Sequence, residues 1–234
     1  VLQVQGPKSM AVLANACDGG APAEFRYFDT FQGYMGGQPV LVSRTGWSAE
    51  LGFEVYNMDA DVNGPALWDH LIAAGADVGM TGCSQLAMNI RRIEGGILNY
   101  RTDMDWYTTP YDMGLGQFVD LDSRDFIGRD ALRNAAREPR FRGFQCEERQ
   151  LRYGAAVMSD GKPVGRVTAY EISPYLKCGV GFVLFDAADS MNSSGLTVVD
   201  RDGNECPVEP VELPFYDVEK NIPRGLESVD AVIE

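Results

Sequence analysis

A glycine-containing turn between two strand-like runs constrains this chain more than any other stretch of its sequence. Residues 39–43 (PVLVS) are apolar enough for a buried strand, and residues 44–56 (RTGWSAELGFEVY) pass through a turn into an alternating run. Because side chains of a strand alternate between its two faces, Glu54 and Tyr56 are expected on the same face. The pattern therefore predicts an antiparallel hairpin with one apolar face and one polar face.

The polar face of this hairpin includes a carboxylate, Glu54, held on a strand. Its two oxygens can accept a pair of adjacent N–H donors, as the edge of a pterin or a guanidine group provides. A solvated glutamate satisfies the same strand pattern, since most carboxylates on strands face water. The residues alone leave both a ligand-binding role and a surface role open for Glu54.

Composition and charge limit the partners that the chain can have. Its 234 residues are 45% hydrophobic, which is enough to bury a core, and its formal net charge of −14 predicts repulsion from nucleic acids and anionic membranes. The five cysteines include no C-x-x-C pair, so neither a metal site nor a full disulfide framework is expected. No membrane-length apolar run and no leader-like segment is found, so a cytoplasmic location is expected.

The chain shows few patterns typical of acid–base or nucleophilic catalysis. His70 is the single histidine and lies in a helical pattern, which argues against Ser-His-Asp and Cys-His catalysis. Asp103 and Asp105 could act as acid and base, but on a loop they are equally ordinary turn residues. We therefore assign no catalytic residue from the sequence.

The pattern of predicted helices and strands changes along the chain, and it predicts an α+β fold in two parts. Residues 1–138 mix helical and strand patterns, whereas residues 139–217 read as short strands joined by turns. The pairs Asp160-Gly161 and Asp202-Gly203 are strong hairpin signals, so a small antiparallel β-barrel is predicted there. Residues 218–234 are polar and read as a tail that packs loosely or contacts a neighbouring chain.

Several motifs, in the same order, resemble those of the glycine cleavage T-protein (aminomethyltransferase) superfamily of folate-dependent transferases. They are VQGPKS at 4–9, RTGWSAELGFEVY at 44–56, RIEGGILNY at 92–100, TPYDMGLG at 109–116 and DFIGRDAL at 125–132. The resemblance implies that residues 1–138 are the C-terminal portion of the folate-binding domain, a mixed sheet with helices. It also implies that residues 139–217 are the T-protein C-terminal barrel.

Within the superfamily, the chain is most similar to the dimethylsulfoniopropionate demethylases. Trp47 stands where aminomethyltransferases have tyrosine, and the Gly82-Cys83 pair precedes the RIE motif as in the demethylases. The chain begins at Val1 directly inside a strand-like run. The resemblance therefore implies that the N-terminal part of the folate domain is missing, so that an upstream segment or another subunit would complete it.

The resemblance also implies a cofactor, tetrahydrofolate, and the residues that bind it. Glu54 would take the N–H pair of the pterin, and Tyr56 and Trp47 would line the site. Arg92 lies near the end of a predicted helix, where a cation favours the helix dipole; the resemblance adds that its segment borders the folate pocket. In aminomethyltransferases an aspartate from the earlier half lies near the reacting nitrogen, and that residue would lie upstream of Val1.

The function implied is the transfer of a methyl or aminomethyl-derived carbon from a small-molecule donor to tetrahydrofolate, with demethylation of dimethylsulfoniopropionate as its specific form. Two alternatives stay open. One is the folate domain of a dimethylglycine or sarcosine dehydrogenase-like protein. The other is a non-catalytic folate-binding module, whose K-G-C-Y-x-G-Q-E motif does not occur in this chain.

Overall fold

The computed structural model describes residues 1–147 and 151–233, and these form two compact units. One unit comprises Val1–Arg92 together with the segment that starts at Asp217, and the other comprises Ile93–Tyr216. Compact units need not follow family domains. The domain bounds expected from the sequence, 1–138, 139–217 and 218–234, therefore stay a prediction.

The helices and strands follow the chain in a mixed order. They are β1 (Leu2–Gln5), α1 (Ser9–Ala16), β2 (Thr30–Met35), β3 (Gln38–Ser43), β4 (Gly52–Asn57), α2 (Gly64–Ala74), α3 (Gln85–Glu94), α4 (Arg129–Asn134), β5 (Phe141–Cys146), β6 (Ala156–Ser159), β7 (Lys162–Ser173), β8 (Cys178–Phe185), β9 (Thr197–Val199), β10 (Glu205–Pro207), β11 (Glu209–Val211), α5 (Asn221–Arg224) and α6 (Val229–Ile233). None of the helices in the described residues is long and apolar enough to span a membrane.

The first unit is built on a four-stranded antiparallel sheet in the order β1-β4-β3-β2. The hairpin predicted from residues 39–56 is confirmed as β3 and β4, in which Ser43 pairs with Glu54. One face of the sheet is buried: Phe53 and Val55 of β4 belong to a single apolar cluster with Leu13 of α1 and Leu67 of α2. The helices thus cover the apolar face, and the side chains of Glu54 and Tyr56 belong to the opposite face.

The N-cap of helix α2 lies two residues after the residue that the sequence favours for this role. The sequence predicts Asp61 as the N-cap, and this is wrong, because Asn63 caps the helix by accepting a hydrogen bond from the backbone N–H of Ala66 at 3.1 Å. Pro65 explains the choice. Proline fits the first turn, where no backbone N–H is required, and this places the start of the helix at Gly64.

The second unit contains a seven-stranded antiparallel sheet that curls into a nearly closed barrel. Its strands follow the order β10-β9-β6-β7-β8-β5-β11. Asp160 and Gly161 both have positive φ, 49° and 73°, as a two-residue hairpin turn between β6 and β7 requires. Phe144, Phe185 and Val198 are almost fully buried in its apolar interior. The small antiparallel barrel predicted from the sequence is confirmed.

The C-terminal segment belongs to the first unit. It contains the short helices α5 and α6, whose Ile222 and Val229 are 1% and 5% exposed. The carboxylate of Asp217 accepts hydrogen bonds from the backbone N–H groups of Asn221 and Ile222, at 2.7 and 3.0 Å. Two apolar side chains and one capping carboxylate therefore fix a segment whose composition is mostly polar.

Candidate functional site

Glu54 lies half-buried on β4 and accepts three hydrogen bonds from neutral donors. Gln3 Nε2 donates to Oε1 at 3.0 Å, the Thr45 hydroxyl donates to Oε2, and the Tyr56 hydroxyl donates to Oε2 at 3.1 Å. In the part of the chain that the structure describes, no cation forms an ion pair with this carboxylate. The negative charge is thus oriented by three dipoles but is not neutralised.

The carboxylate of Glu54 can accept further hydrogen bonds. An ionised carboxylate offers about four acceptor positions, and the three donors occupy one at Oε1 and two at Oε2. One position at Oε1 is left, and a hydroxyl at Oε2 can rotate away because its O–H bond turns freely. The arrangement can therefore receive two adjacent N–H donors.

Gln3 is a member of this cluster that the sequence analysis missed. Its amide nitrogen must face Glu54, because the reverse orientation would place two acceptor oxygens against each other. That orientation leaves Gln3 Oε1 buried with no donor among the described residues. The pairing of Gln3 with Glu54 across β1 and β4 brings the two together, and no local signal in either segment predicts this pairing.

Tyr56 is held in its protonated, hydrogen-donating form. Its partial burial raises the pKa of the phenol above its ordinary value of 10.0, and the charge and hydrogen bond of Glu54 raise the pKa further. The phenol therefore donates to Glu54 throughout the neutral range. The prediction that Glu54 and Tyr56 lie on the same face is confirmed by their direct contact.

Trp47 and Arg92 form a second pair. The guanidinium carbon of Arg92 lies 5.5 Å from the centroid of the Trp47 indole ring, within the range of a cation–π interaction. Arg92 is only 3% exposed, and its Nε donates to Asn89 Oδ1 at 2.9 Å. The preceding residue of α3, Arg91, forms an ion pair with Glu50. Helix α3 thus places two adjacent arginines against the loop that leads into β4.

The loop of residues 44–51 links the two pairs, since Thr45 donates to Glu54 and Trp47 follows two residues later. All four residues proposed from the sequence lie on this loop, on β4 or at the end of α3. Their direct contacts join Glu54 to Tyr56 and Trp47 to Arg92. Their role in cofactor binding stays a prediction.

Asp103 and Asp105 lie in tight turns and hold their local backbone. Asp103 Oδ2 accepts from the backbone N–H of Asn99 at 2.7 Å, and Asp105 Oδ1 accepts from that of Tyr107 at 2.8 Å. Asp103 is also fully buried, and Asp105 Oδ2 lies 3.9 Å from Arg166 Nη2, so both roles that the sequence left open for the two carboxylates stay open.

Two family models match the chain. The GCVT N-terminal domain matches residues 1–123, and the glycine cleavage T-protein C-terminal barrel domain matches residues 140–217. Together they cover the four-stranded sheet that carries Glu54 and the strands of the barrel.

Curated relatives and a solved structure agree with these models. An aminomethyltransferase of Streptomyces avermitilis is 34% identical over 92% of this chain and 59% of its own length. Dimethylsulfoniopropionate demethylase DmdA of Ruegeria pomeroyi is 33% identical over 86% of this chain and 56% of its own length. The chain thus spans less than two thirds of the length of these relatives.

The fold is that of a solved T-protein. The crystal structure of glycine cleavage system aminomethyltransferase T from Bartonella henselae superimposes with a TM-score of 0.74 at 24% identity, over 90% of this chain and 58% of that one. The ordered motifs, the two matching family models and this shared fold lead to one conclusion. The chain belongs to the glycine cleavage T-protein family.

Proposed function

We propose that the protein is a tetrahydrofolate-dependent one-carbon transferase, and that Glu54 recognises the pterin head of the cofactor. The relatives reported above carry the names aminomethyltransferase and dimethylsulfoniopropionate demethylase, and both names describe the transfer of one-carbon groups. The observation that carries the proposal is the half-buried carboxylate of Glu54, which three neutral donors orient and no cation among the described residues neutralises.

The chemistry of the pterin head suits this carboxylate. A charge removed from water is stabilised best by additional N–H donors, and hydrogen bonds to a charged acceptor contribute about 1.5–3 kcal/mol. A pterin presents two adjacent N–H donors on one edge, which matches two carboxylate oxygens. The flat pterin ring would lie against Tyr56 and Trp47. Arg92 would hold the Trp47 ring in place through their cation–π contact.

The reaction moves one carbon to N5 of the cofactor. With a sulfonium donor, the C–S bond breaks, a C–N5 bond forms, the sulfide leaves with the bonding electron pair, and the proton of N5 passes to solvent. Such a transfer requires a nitrogen lone pair aimed at an electrophilic carbon, so positioning supplies much of the rate. The proposal assigns the positioning of the cofactor to this chain and assigns no acid or base.

The specific donor that we propose is dimethylsulfoniopropionate. Trp47 within RTGWS and the pair Gly82-Cys83 support this choice, since these are the positions at which the sequence resembles the demethylases. The identities of 34% to an aminomethyltransferase and 33% to the demethylase are nearly equal, so overall similarity does not choose between the donors. The choice between the donors therefore requires a comparison of the transfer activities that the protein shows with each of them.

The experiment has two stages. Calorimetric titration of the full-length protein with tetrahydrofolate tests the cofactor, and absence of binding would overturn the proposal. Methyl transfer is then measured with dimethylsulfoniopropionate, with an aminomethyl donor and with dimethylglycine as alternative donors. Turnover with dimethylsulfoniopropionate supports the demethylase, turnover with another donor replaces it, and cofactor binding without any turnover supports the non-catalytic folate-binding module.

A further inference from the structure

Gln5 fills the space between two glycines of the loop and strand that carry the candidate site. Gly46 lies in the loop after β3, and Gly52 is the first residue of β4. A Cβ atom added to either glycine would lie closer than 3.0 Å to the side-chain amide of Gln5. Neither glycine has a φ in the left-handed region, so the reason for glycine at these positions is space and not backbone conformation.

The amide of Gln5 forms hydrogen bonds along the loop in which it is enclosed. Its Nε2 donates to the carbonyl oxygens of Thr45 at 3.5 Å and of Phe53 at 3.3 Å. Its Oε1 accepts from the Ser48 hydroxyl at 2.6 Å, and the same Ser48 oxygen accepts from the backbone N–H of Glu50 at 3.3 Å. One side chain thus connects the beginning and the middle of the loop with strand β4.

Gly6 and Ser9, which follow Gln5 in the sequence, form hydrogen bonds to the same loop. The carbonyl oxygen of Leu51 accepts from the backbone N–H of Gly6 at 2.8 Å and from the Ser9 hydroxyl at 2.9 Å. The motif at residues 4–9 and the motif at residues 44–56 are therefore parts of a single structure. In this chain, the glutamine of one motif occupies the space beside two glycines of the other.

We propose that Gln5 is a positioning residue of the folate site, a role that rests on the function proposed above. Gln5 fixes the backbone at Thr45, whose hydroxyl donates to Glu54, and it fixes Ser48, one residue after Trp47. Without Gln5, the loop loses the anchors that hold Thr45 against Glu54 and that hold the Trp47 ring beside Arg92. Gln5 acts on the cofactor through these residues.

The first test replaces Gln5 by methionine, which has a similar length and no amide. Gln5→Met is expected to weaken tetrahydrofolate binding roughly 10-fold, because Thr45 and Ser48 lose hydrogen bonds that hold the neighbouring ligand-binding side chains in place. Amide hydrogen exchange at residues 45–52, measured without ligand, is expected to accelerate several-fold. The matched control is Gln32→Met on the exposed surface of β2, which should change neither quantity.

The second test uses the enclosed space. Gly52→Ala places a methyl group against the Gln5 amide and is expected to lower the melting temperature by roughly 4 °C. In the Gln5→Ala background the obstacle is absent, so the same Gly52→Ala change should cost at most half as much in the double variant. Its affinity for tetrahydrofolate should stay low, because the hydrogen bonds of the amide are still absent.

The outcomes separate this inference from the proposed function. Failure of the unaltered protein to bind tetrahydrofolate would reject the proposed function. Hydrogen exchange at residues 45–52, measured without ligand, would still show whether Gln5 orders the loop. Unchanged exchange at residues 45–52 in Gln5→Met would overturn the positioning role. Normal binding of tetrahydrofolate by Gln5→Met would overturn it as well, and a role in stability alone would then explain the contacts.

Discussion

Two carboxylates, one in each compact unit, show how differently the two regions hold a negative charge. In the second unit, Asp112 forms an ion pair with Arg140, whose Nε lies 2.7 Å from Oδ1, and accepts two hydrogen bonds from Thr109. In the first unit, Glu54 has three neutral donors and no cationic partner among the described residues. The comparison teaches that residues of its own unit neutralise the charge of Asp112, whereas Glu54 can still accept a hydrogen bond from a ligand.

The pKa of Asp112 reflects its ion pair and its hydrogen bonds. Burial alone would raise the pKa of the carboxyl group, but the hydrogen bonds from Arg140 and Thr109 and the charge of Arg140 outweigh it, and the pKa is lowered from its ordinary value of 3.8. The ionised form is therefore favoured in the folded state, so this carboxylate contributes to the stability of the fold.

The largest expected effect comes from removing the carboxylate of Glu54, which pairs with no cation in residues 1–147 and 151–233. Glu54→Ala should weaken tetrahydrofolate binding by about 1–3 kcal/mol, because the N–H donors of the ligand lose their acceptor. Isothermal titration calorimetry measures the change. Asp112→Asn is the matched control and should bind tetrahydrofolate as the unaltered protein does; equal affinity in Glu54→Ala would contradict the comparison.

The next effect concerns stability in the second unit. Asp112→Asn should lower the free energy of unfolding by about 1–3 kcal/mol, since Arg140 then keeps its charge without a carboxylate partner. Chemical denaturation provides the measurement. Glu54→Gln, which keeps the size of the side chain and breaks no ion pair, should cost clearly less; a larger loss in Glu54→Gln would reverse our assignment of the two roles.

The pH dependence of stability sharpens the same contrast. Because the pKa of Asp112 is lower in the folded state than in the unfolded state, its contribution is fully present above about pH 5 and is lost as the pH falls below 3.8. Melting curves of the unaltered protein and of Asp112→Asn should therefore converge as the medium becomes acidic. A constant difference between them down to pH 2 would show that the ion pair is not responsible.

The smallest expected effect is that of Gln3→Met. This change removes a donor to Glu54, which destabilises, and it also removes the buried oxygen for which the described part of the chain offers no donor, which stabilises. The melting temperature should therefore stay within about 2 °C, while tetrahydrofolate binding weakens by roughly threefold because Glu54 is less firmly oriented. Gln32→Met is the control, and a loss of stability as large as that of Asp112→Asn would show that Gln3 is structural.

Part of the site was visible in the sequence because it depends on local alternation. The contact of Tyr56 with Glu54 follows from two residues that lie on one face of a strand, and the hairpin of β3 and β4 follows from the apolar run and the turn. The Asp160-Gly161 turn was predictable for the same reason, since a two-residue hairpin requires positive φ at both positions.

The remaining parts depend on contacts between segments that are far apart in the chain. Gln3 donates to Glu54 across a separation of 51 residues, and Gln5 reaches the Phe53 carbonyl across 48. Local patterns carry no information on such pairings, because the register of β1 on β4 is set by the packing of the whole apolar face. The N-cap of α2 was missed for a more local reason, the preference of Pro65 for the first turn.

By itself, the sequence determined the family, the β3–β4 hairpin that holds Glu54 and Tyr56 and the antiparallel barrel, since motifs and turns are short-range properties. Only the tertiary structure decided which donors surround Glu54, that Arg92 stacks on Trp47, and that Gln5 occupies the space that two glycines leave open. The physical reason is that the burial of a side chain and its hydrogen bonds depend on the residues packed around it. Many of these residues are distant in the sequence and come together only when the strands pair.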